Sequence, residues 1–172
     1  EKAPNARGVR RGLNAMGGKI LGSDALLDQA RSGSLGAVVV TGNYPSEWVT
    51  PAWSQALAKT PFVLIDTLPT ELLAMAEVVL PGAAWVEKEG CFENRGGRMQ
   101  AFDRAIAPVD FARAEAQIAL DLLAHLDGSI PTAFRASDTR RAMASAGLAG
   151  FRTIHEVPAQ ATAEPDMVYL EL

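Results

Sequence analysis

The sequence contains few of the residues that usually build an active site. It has one cysteine and two histidines in 172 residues. With Cys91 alone, this chain cannot form an internal disulfide, a thiolate-only zinc site or a cysteine-held iron–sulfur cluster. We interpret His125 as a surface residue near a helix terminus, and His155 is isolated in the sequence. The sequence therefore shows no recognisable catalytic constellation.

Long apolar runs are also missing. No run approaches the ~18 residues that a membrane-spanning helix needs, and no signal-peptide pattern opens the chain. A net charge of −4 argues against a general nucleic-acid binder. We therefore expect no nucleic-acid partner, no direct membrane insertion, and a cytoplasmic protein, free or peripheral to a membrane within a complex. Since the first residue is Glu1 rather than Met, we also expect a piece of a longer protein.

Three short apolar runs, at residues 35–41, 62–65 and 78–80, each end at turn residues and are typical of buried strands. Helical segments are predicted between them, at 47–59, where Pro51 either sets the true start or kinks the helix, and at 70–76. Such short crossovers favour parallel strands. The predicted fold class is α/β, a Rossmann-like parallel sheet with flanking helices (a βαβαβ core), as a single domain cut from a larger protein.

We predict two regions in the chain, an α/β domain at 1–128 and a helix/strand tail at 129–172. Residues 1–23 are rich in Gly, Arg and Asn and are predicted to be an irregular start, either a solvated basic arm or a contact for phosphates or an acidic partner. Further helices are predicted at 25–31, 113–126 (stopped by Gly128) and 137–146 (closed by Gly147). Residues 99–106, 151–157 and 167–172 are predicted to be extended, with a linker at 159–166.

Polar and small residues follow each of the three predicted strands. In an open parallel α/β sheet, ligands bind beyond the carboxyl ends of the strands. Glycine lets a backbone approach a ligand closely, Asn both donates and accepts, and Asp accepts from a ribose or guanine edge. Each residue type alone also fits an ordinary turn. The candidate ligand-binding residues at these strand ends are Gly42, Asn43, Asp66, Thr67, Pro81 and Gly82.

Residues 66–81 and 85–100 carry a resemblance to a known family. The first segment is similar to a signature of the molybdopterin oxidoreductase superfamily, in which an Asp ends a strand, Thr-Glu starts a helix and Ala-Asp-Val-Val-Leu-Pro follows. The second is similar to that family's Trp-x-Glu-Lys-x-Gly-Thr-Phe-x-Asn-x-Glu-Gly-Arg-x-Gln. Residues 42–45 resemble its Gly-x-Asn-Pro turn, shifted by one residue. The chain looks most like the large G-type iron–sulfur subunits of NADH–quinone oxidoreductase, or a formate-dehydrogenase-like relative.

The resemblance implies the cofactor-cradling domain of an oxidoreductase large subunit, with no complete active site of its own. It implies that Gly42, Asn43, Asp66 and the turn at 81–82 face the guanosine end of a molybdopterin guanine dinucleotide. The implied partners are the remaining domains of the parent subunit and other oxidoreductase subunits.

Two alternatives remain open. One is a cofactor-free structural domain of the G-type subunit, which predicts a collapsed site filled by Trp85 or Tyr44. It fits the replacement of the family's Thr and Glu by Cys91 and Gly96. The other alternative is a free-standing nucleotide-binding or interaction module unrelated to redox chemistry.

Overall fold

A computed structural model describes residues 5–17, 19–44 and 46–147. The described helices and strands, in chain order, are α1 (Ala6–Ala15), α2 (Ser23–Arg31), β1 (Val38–Thr41), α3 (Pro51–Leu57), β2 (Phe62–Asp66), β3 (Val78–Pro81), β4 (Gly90–Glu93), β5 (Met99–Phe102), α4 (Glu115–Asp127) and α5 (Ala136–Ser145). Short 3₁₀ turns lie at Glu71–Ala74 and Trp85–Glu87. The predicted strands 151–157 and 167–172 and the linker 159–166 lie outside the described residues.

The central feature is a parallel sheet with the strand order β1-β2-β3. Val63 of β2 pairs with Val39 on one side and with Val78 on the other. Helix α3 connects β1 to β2 and begins at Pro51, as predicted. The predicted helix at 70–76 is only a 3₁₀ turn, because the chain between β2 and β3 is short and is held by the fully buried Leu72. A small α/β fold is therefore confirmed, with one helical crossover among these three strands.

One face of this sheet forms the core. Phe62, Leu64 and Val40 pack there against Leu27 of α2 and Leu57 of α3. On the opposite face, Val39 is 62% exposed and Val78 is also exposed. The sequence predicts strands apolar on both faces, and the residues are indeed apolar. Within the described ranges, however, α2 and α3 cover a single face.

The start of the chain differs from the prediction. Residues 6–15 form α1 rather than an irregular segment. No side chain of this helix is buried, and its apolar residues Val9 and Leu13 are exposed. The helix is fixed instead by polar contacts: Asn5 Nδ2 donates to the Cys91 carbonyl at 3.2 Å, and Arg11 makes two hydrogen bonds to Glu93. The basic side chains thus bind the protein's own hairpin.

The β4–β5 hairpin lies where the sequence predicts a loop followed by an extended segment. Gly90 of β4 pairs antiparallel with Phe102 of β5. The strand β4 was missed because glycine and charged residues outnumber apolar ones in and around it.

The two later helices are confirmed within one or two residues. Helix α4 ends at Gly128 with φ 73°, and α5 is followed by Gly147 with φ 77°, the left-handed geometry that glycine readily adopts. Glu89 accepts the Ala136 N–H at 2.7 Å and so fixes the start of α5 beside the hairpin. Among the described residues, no helix combines the length and apolarity needed to cross a membrane.

Candidate functional site

A cleft of about 590 Å³ lies beyond the carboxyl ends of β2 and β3. Four of the six predicted site residues line it, namely Asp66, Thr67, Pro81 and Gly82. The opposite wall is the segment 109–112, which the sequence analysis did not select. The cleft therefore lies at two of the three predicted strand ends, and the other two predicted residues, Gly42 and Asn43, do not line it.

Asp66 is the centre of a hydrogen-bond network at the end of β2. It is only 8% exposed. Its Oδ1 accepts the backbone N–H groups of Asn43 at 2.8 Å and Thr67 at 2.7 Å. Its Oδ2 accepts a hydrogen bond from Trp48 Nε1–H at 3.2 Å. Because three donors converge on this carboxylate, Asp66 fixes the loop after β1 to the end of β2.

Both predicted glycines make room for a polar side chain. A Cβ on Gly42 would lie 2.0 Å from Asp66 Oδ2, and a Cβ on Gly82 would lie 2.6 Å from Asn43 Oδ1. Real Cβ atoms do not approach other atoms so closely. Gly42 and Gly82 are therefore needed for the positions of Asp66 and Asn43, two of the predicted site residues with hydrogen-bonding side chains.

Asn43 is the one member of this group with an unused polar atom. Its backbone is left-handed, with φ 62°, and its Nδ2 donates to Glu115 Oε1 at the start of α4. Its Oδ1 is buried and has no hydrogen-bond partner among the residues that the structure describes. A buried acceptor of this kind is costly unless a ligand or water donates to it. The group therefore fits a ligand that carries N–H or O–H donors.

The segment 109–112 forms an apolar wall. Phe111 is 83% exposed, and Val109 and Leu68 are also exposed at the cleft. The segment lies beside the cleft because Arg113 pairs with the end of β3: Arg113 N–H donates to the Pro81 carbonyl, and Ala83 N–H donates to the Arg113 carbonyl. This pairing joins residues about thirty positions apart and has no local sequence signal, so Phe111 was missed.

Glu87 is buried beneath the cleft. Its Oε2 accepts the Ala84 N–H at 2.7 Å, and its Oε1 accepts the Val109 N–H at 3.1 Å. This carboxylate joins the loop after β3 to the apolar wall.

The tryptophans do not fill the cleft. Trp48 and Trp53 pack edge to face with ring centroids 5.6 Å apart, in agreement with a packing role. Trp85 is 71% exposed, and Tyr44 is also exposed; neither lines the cleft. The collapsed arrangement expected for a cofactor-free domain is therefore not the one observed.

Two titratable groups near α1 and the hairpin depart from ordinary behaviour. The hydrogen bonds from Arg11 hold the pKa of Glu93 below its usual range. Burial raises the pKa of the Cys91 thiol, although Arg140 acts in the opposite direction. A protonated, half-buried thiol is a poor nucleophile. Across the part of the chain that the structure describes, no group of three or more His, Cys, Asp or Glu side chains could hold a metal ion.

Comparison with known proteins identifies one family and several oxidoreductase relatives. The model of the family described as Molybdopterin oxidoreductase matches residues 18–125, well over half of the chain. The chain is 37% identical over 71 residues to a protein named nitrate reductase from Symbiobacterium thermophilum, covering 41% of this chain and 9% of that protein. It is 34% identical over 90 residues to the G-type subunit of NADH-quinone oxidoreductase from Streptomyces coelicolor, covering 51% of this chain and 11% of that protein.

A third relative is the alpha subunit of F420-dependent formate dehydrogenase 1 from Methanococcus maripaludis. It is 43% identical over 44 residues, covering 26% of this chain and 6% of that protein. The matched region thus spans about a tenth or less of the length of these relatives.

Proposed function

Because this chain belongs to the molybdopterin oxidoreductase family, we propose that its cleft holds the guanosine end of a molybdopterin guanine dinucleotide. When bound, the cofactor would supply redox chemistry at its metal. The residues of this chain bind and orient the nucleotide end and take no part in electron transfer. Gly42, Asn43, Asp66 and the turn at 81–82 form the polar end of the proposed site, with Thr67 beside them.

The observation that carries the proposal is the unpaired Oδ1 of Asn43. This oxygen is buried beside Gly82 at the same strand ends that line the cleft. Guanine and ribose both carry N–H or O–H donors, and either satisfies a buried carbonyl oxygen. Glu115 holds the other end of the Asn43 amide and so keeps Oδ1 directed toward Gly82.

The apolar wall supplies a second element of recognition. Phe111 presents a largely uncovered ring at a cleft whose opposite side is the polar strand end. Stacking of a base on an aromatic ring is worth roughly 1–3 kcal/mol. A purine base between this wall and the strand ends would explain why a large aromatic ring is left exposed here.

The sheet is, in this proposal, part of a Rossmann-like βαβαβ core within a longer oxidoreductase subunit. The relatives are named as the G-type and alpha subunits of NADH-quinone oxidoreductase and formate dehydrogenase, respectively. The proposed partners are accordingly the remaining domains of the parent subunit and other subunits of an oxidoreductase. We propose a cytoplasmic location, peripheral to a membrane if the complex is anchored there.

One observation favours a second candidate, a cofactor-free structural domain of the G-type subunit. Both carboxylate oxygens of Asp66 already accept internal donors, so this side chain is less available to a ligand than the sequence implies. The open cleft and the exposed Trp85 and Tyr44 favour the first candidate.

A thermal-shift titration with guanosine, GMP and GDP tests the two candidates. Phe111→Ala is the cleft variant, because an exposed ring can be removed with little effect on folding. Trp85→Ala is the matched control, since this ring is comparably exposed and lies outside the cleft. A ligand at 100 times its dissociation constant adds roughly 2.7 kcal/mol to the free energy of unfolding.

If the cleft binds the guanosine end of the cofactor, all three ligands should raise the melting temperature saturably. Phe111→Ala should weaken the affinity at least tenfold, and Trp85→Ala should leave it unchanged. No shift up to millimolar ligand, or a shift equally affected by both variants, would favour the structural domain. An equal response to adenosine would show that the cleft accepts purines without selecting guanine.

A further inference from the structure

A second cavity, of about 260 Å³, lies between the loop after β3 and the start of α4. Four cationic side chains line it, namely Lys88, Arg104, Arg113 and Arg135. They come from four separate segments of the chain, so the fold gathers the charges here. This is unexpected in a chain with a net charge of −4.

The four cations differ in how they are paired. Lys88 Nζ lies 2.7 Å from Glu115 Oε1, and Arg113 Nη1 donates to the carbonyl oxygens of Asp110 and Ala112. The guanidinium groups of Arg104 and Arg135 have no hydrogen-bond or ion-pair partner within the described residues. Two strong multidentate donors at one cavity are therefore available to a ligand.

The carboxylates that line the same cavity are already used. Both oxygens of Glu87 accept backbone N–H groups, and Glu89 Oε1 accepts the Ala136 N–H. The lining residues carry four positive and two negative charges, a balance of about +2. Such a surplus of positive charge attracts anions to the cavity.

We propose that this cavity is a binding site for a phosphoryl anion, separate from the nucleoside cleft. Guanidinium groups bind phosphate oxygens through paired, charge-assisted hydrogen bonds. A phosphoryl group offers three acceptor oxygens and about two negative charges, which suits donors arriving from several segments. A carboxylate offers two oxygens in one plane and one charge, and therefore matches this arrangement less well.

The cavity and the cleft are separate but adjacent. Glu87 lines both, and Glu115 Oε1 accepts from Lys88 on the cavity side and from Asn43 on the cleft side. The proposal for the cavity rests on its own charges and stands whether or not the cleft binds a nucleoside. The adjacency raises one further question: whether the phosphoryl group belongs to a free anion or to a nucleotide that also occupies the cleft.

Isothermal titration with inorganic pyrophosphate tests the site directly. The informative protein is the double variant Arg104→Gln/Arg135→Gln, since both side chains are exposed and their removal breaks no contact that folding requires. Arg98→Gln is the matched control, an exposed arginine in the β4–β5 turn that does not line the cavity. Glutarate, a dicarboxylate, provides the comparison of ligand class.

We expect saturable pyrophosphate binding that weakens at least tenfold in the double variant, stays within twofold in Arg98→Gln, and falls as salt is raised. Undetectable binding at millimolar pyrophosphate, equal binding by the double variant, or tighter binding of glutarate would overturn the proposal. Loss of GDP affinity in both the double variant and Phe111→Ala would assign the phosphoryl group to a nucleotide. Loss in Phe111→Ala alone would assign it to a free anion.

Discussion

At the scale of single residues, the tightest constraint in the candidate site is the space between Gly42 and Asp66. The three atoms that a Cβ on Gly42 would meet all belong to the Asp66 carboxylate, at 2.0 to 2.7 Å. Gly42→Ala should therefore lower the free energy of unfolding by about 1–3 kcal/mol, the usual cost of overpacking. Gly36→Ala is the matched control, because a Cβ there meets nothing within 4 Å. Urea denaturation of the two variants measures the difference.

A second variant tests whether the clash with the Asp66 carboxylate causes the destabilisation expected for Gly42→Ala. Asp66→Ala removes the clashing atoms, although it leaves three N–H donors without their acceptor and should itself cost about 1–3 kcal/mol or more. In that background, Gly42→Ala should cost less than it does alone, giving a coupling energy of about 0.5–3 kcal/mol. Strictly additive costs would show that the strain has another source.

A substitution of Asn43 is expected to change both GMP binding and stability. Asn43→Asp places a charged oxygen where Asn43 Nδ2 now donates to Glu115 Oε1, so two carboxylates would face each other. The expected result is weaker GMP binding together with a lower melting temperature at pH 7, and partial recovery of stability at pH 5. The double variant Asn43→Asp/Glu115→Gln should restore the melting temperature at pH 7. Failure of that rescue would argue against a direct contact between the two side chains.

At the scale of elements, ion pairs with Glu93 of β4 help to hold α1 in place. The side chain of Glu93 is 2% exposed, and Arg11 approaches it at 2.6 Å. Hydrogen bonds from Arg11 lower the pKa of Glu93 in the folded protein from its ordinary 4.5. A carboxylate with a depressed folded pKa contributes stability above its unfolded pKa, and that contribution is lost as the pH falls through the folded pKa. The contact of α1 with β4 should therefore weaken as the pH falls below 4.5 and be lost as the pH falls through the lower pKa of Glu93 in the folded protein.

Hydrogen exchange of the amides in α1 checks this prediction. Their protection should fall on acidification earlier than that of the amides in β2, and Glu93→Gln should show low protection in α1 already at pH 7. Arg31→Gln is a suitable control, because the Arg31–Asp28 pair is exposed and joins residues within one helix. Equal protection of α1 in the wild type and Glu93→Gln would mean that the helix is held by other contacts.

The same ion pair shows why sequence patterns predicted some elements and not others. The strands β1, β2 and β3 are short runs of apolar residues and the helix α4 is rich in apolar residues, so their local sequences predict them. Helix α1 buries nothing, and it depends on Asn5 and Arg11 contacting a strand more than eighty residues away. Periodicity carries no information on such a contact.

The candidate site likewise contains residues that the sequence predicts and residues that it does not. The strand ends that carry Gly42, Asn43, Asp66 and Gly82 follow directly from the predicted parallel sheet. The wall that carries Phe111 arrives through the pairing of Arg113 with the end of β3, which joins residues that are distant in sequence. The cationic cavity likewise combines residues of four segments and could not be derived from any one of them.

At the scale of the whole molecule, the described chain has the organisation of a binding unit. The core lies on one face of the sheet, and the cleft and the cationic cavity both lie near the start of α4. Glu115, the first residue of that helix, contacts Asn43 at one site and Lys88 at the other. The relatives are about ten times longer than the regions they share with this chain. Under the function proposed above, this unit binds the nucleotide and the redox activity belongs to a longer protein.

This division of roles predicts that the 172-residue chain on its own reduces no dye with formate or NADH as electron donor. One cysteine and two histidines leave this sequence short of the ligands that iron–sulfur clusters require. The assay follows viologen or ferricyanide reduction at micromolar protein, with a purified formate dehydrogenase as positive control. A rate proportional to protein concentration and abolished by boiling would contradict the prediction. If guanosine still binds while no dye is reduced, the unit binds the nucleotide without performing the chemistry.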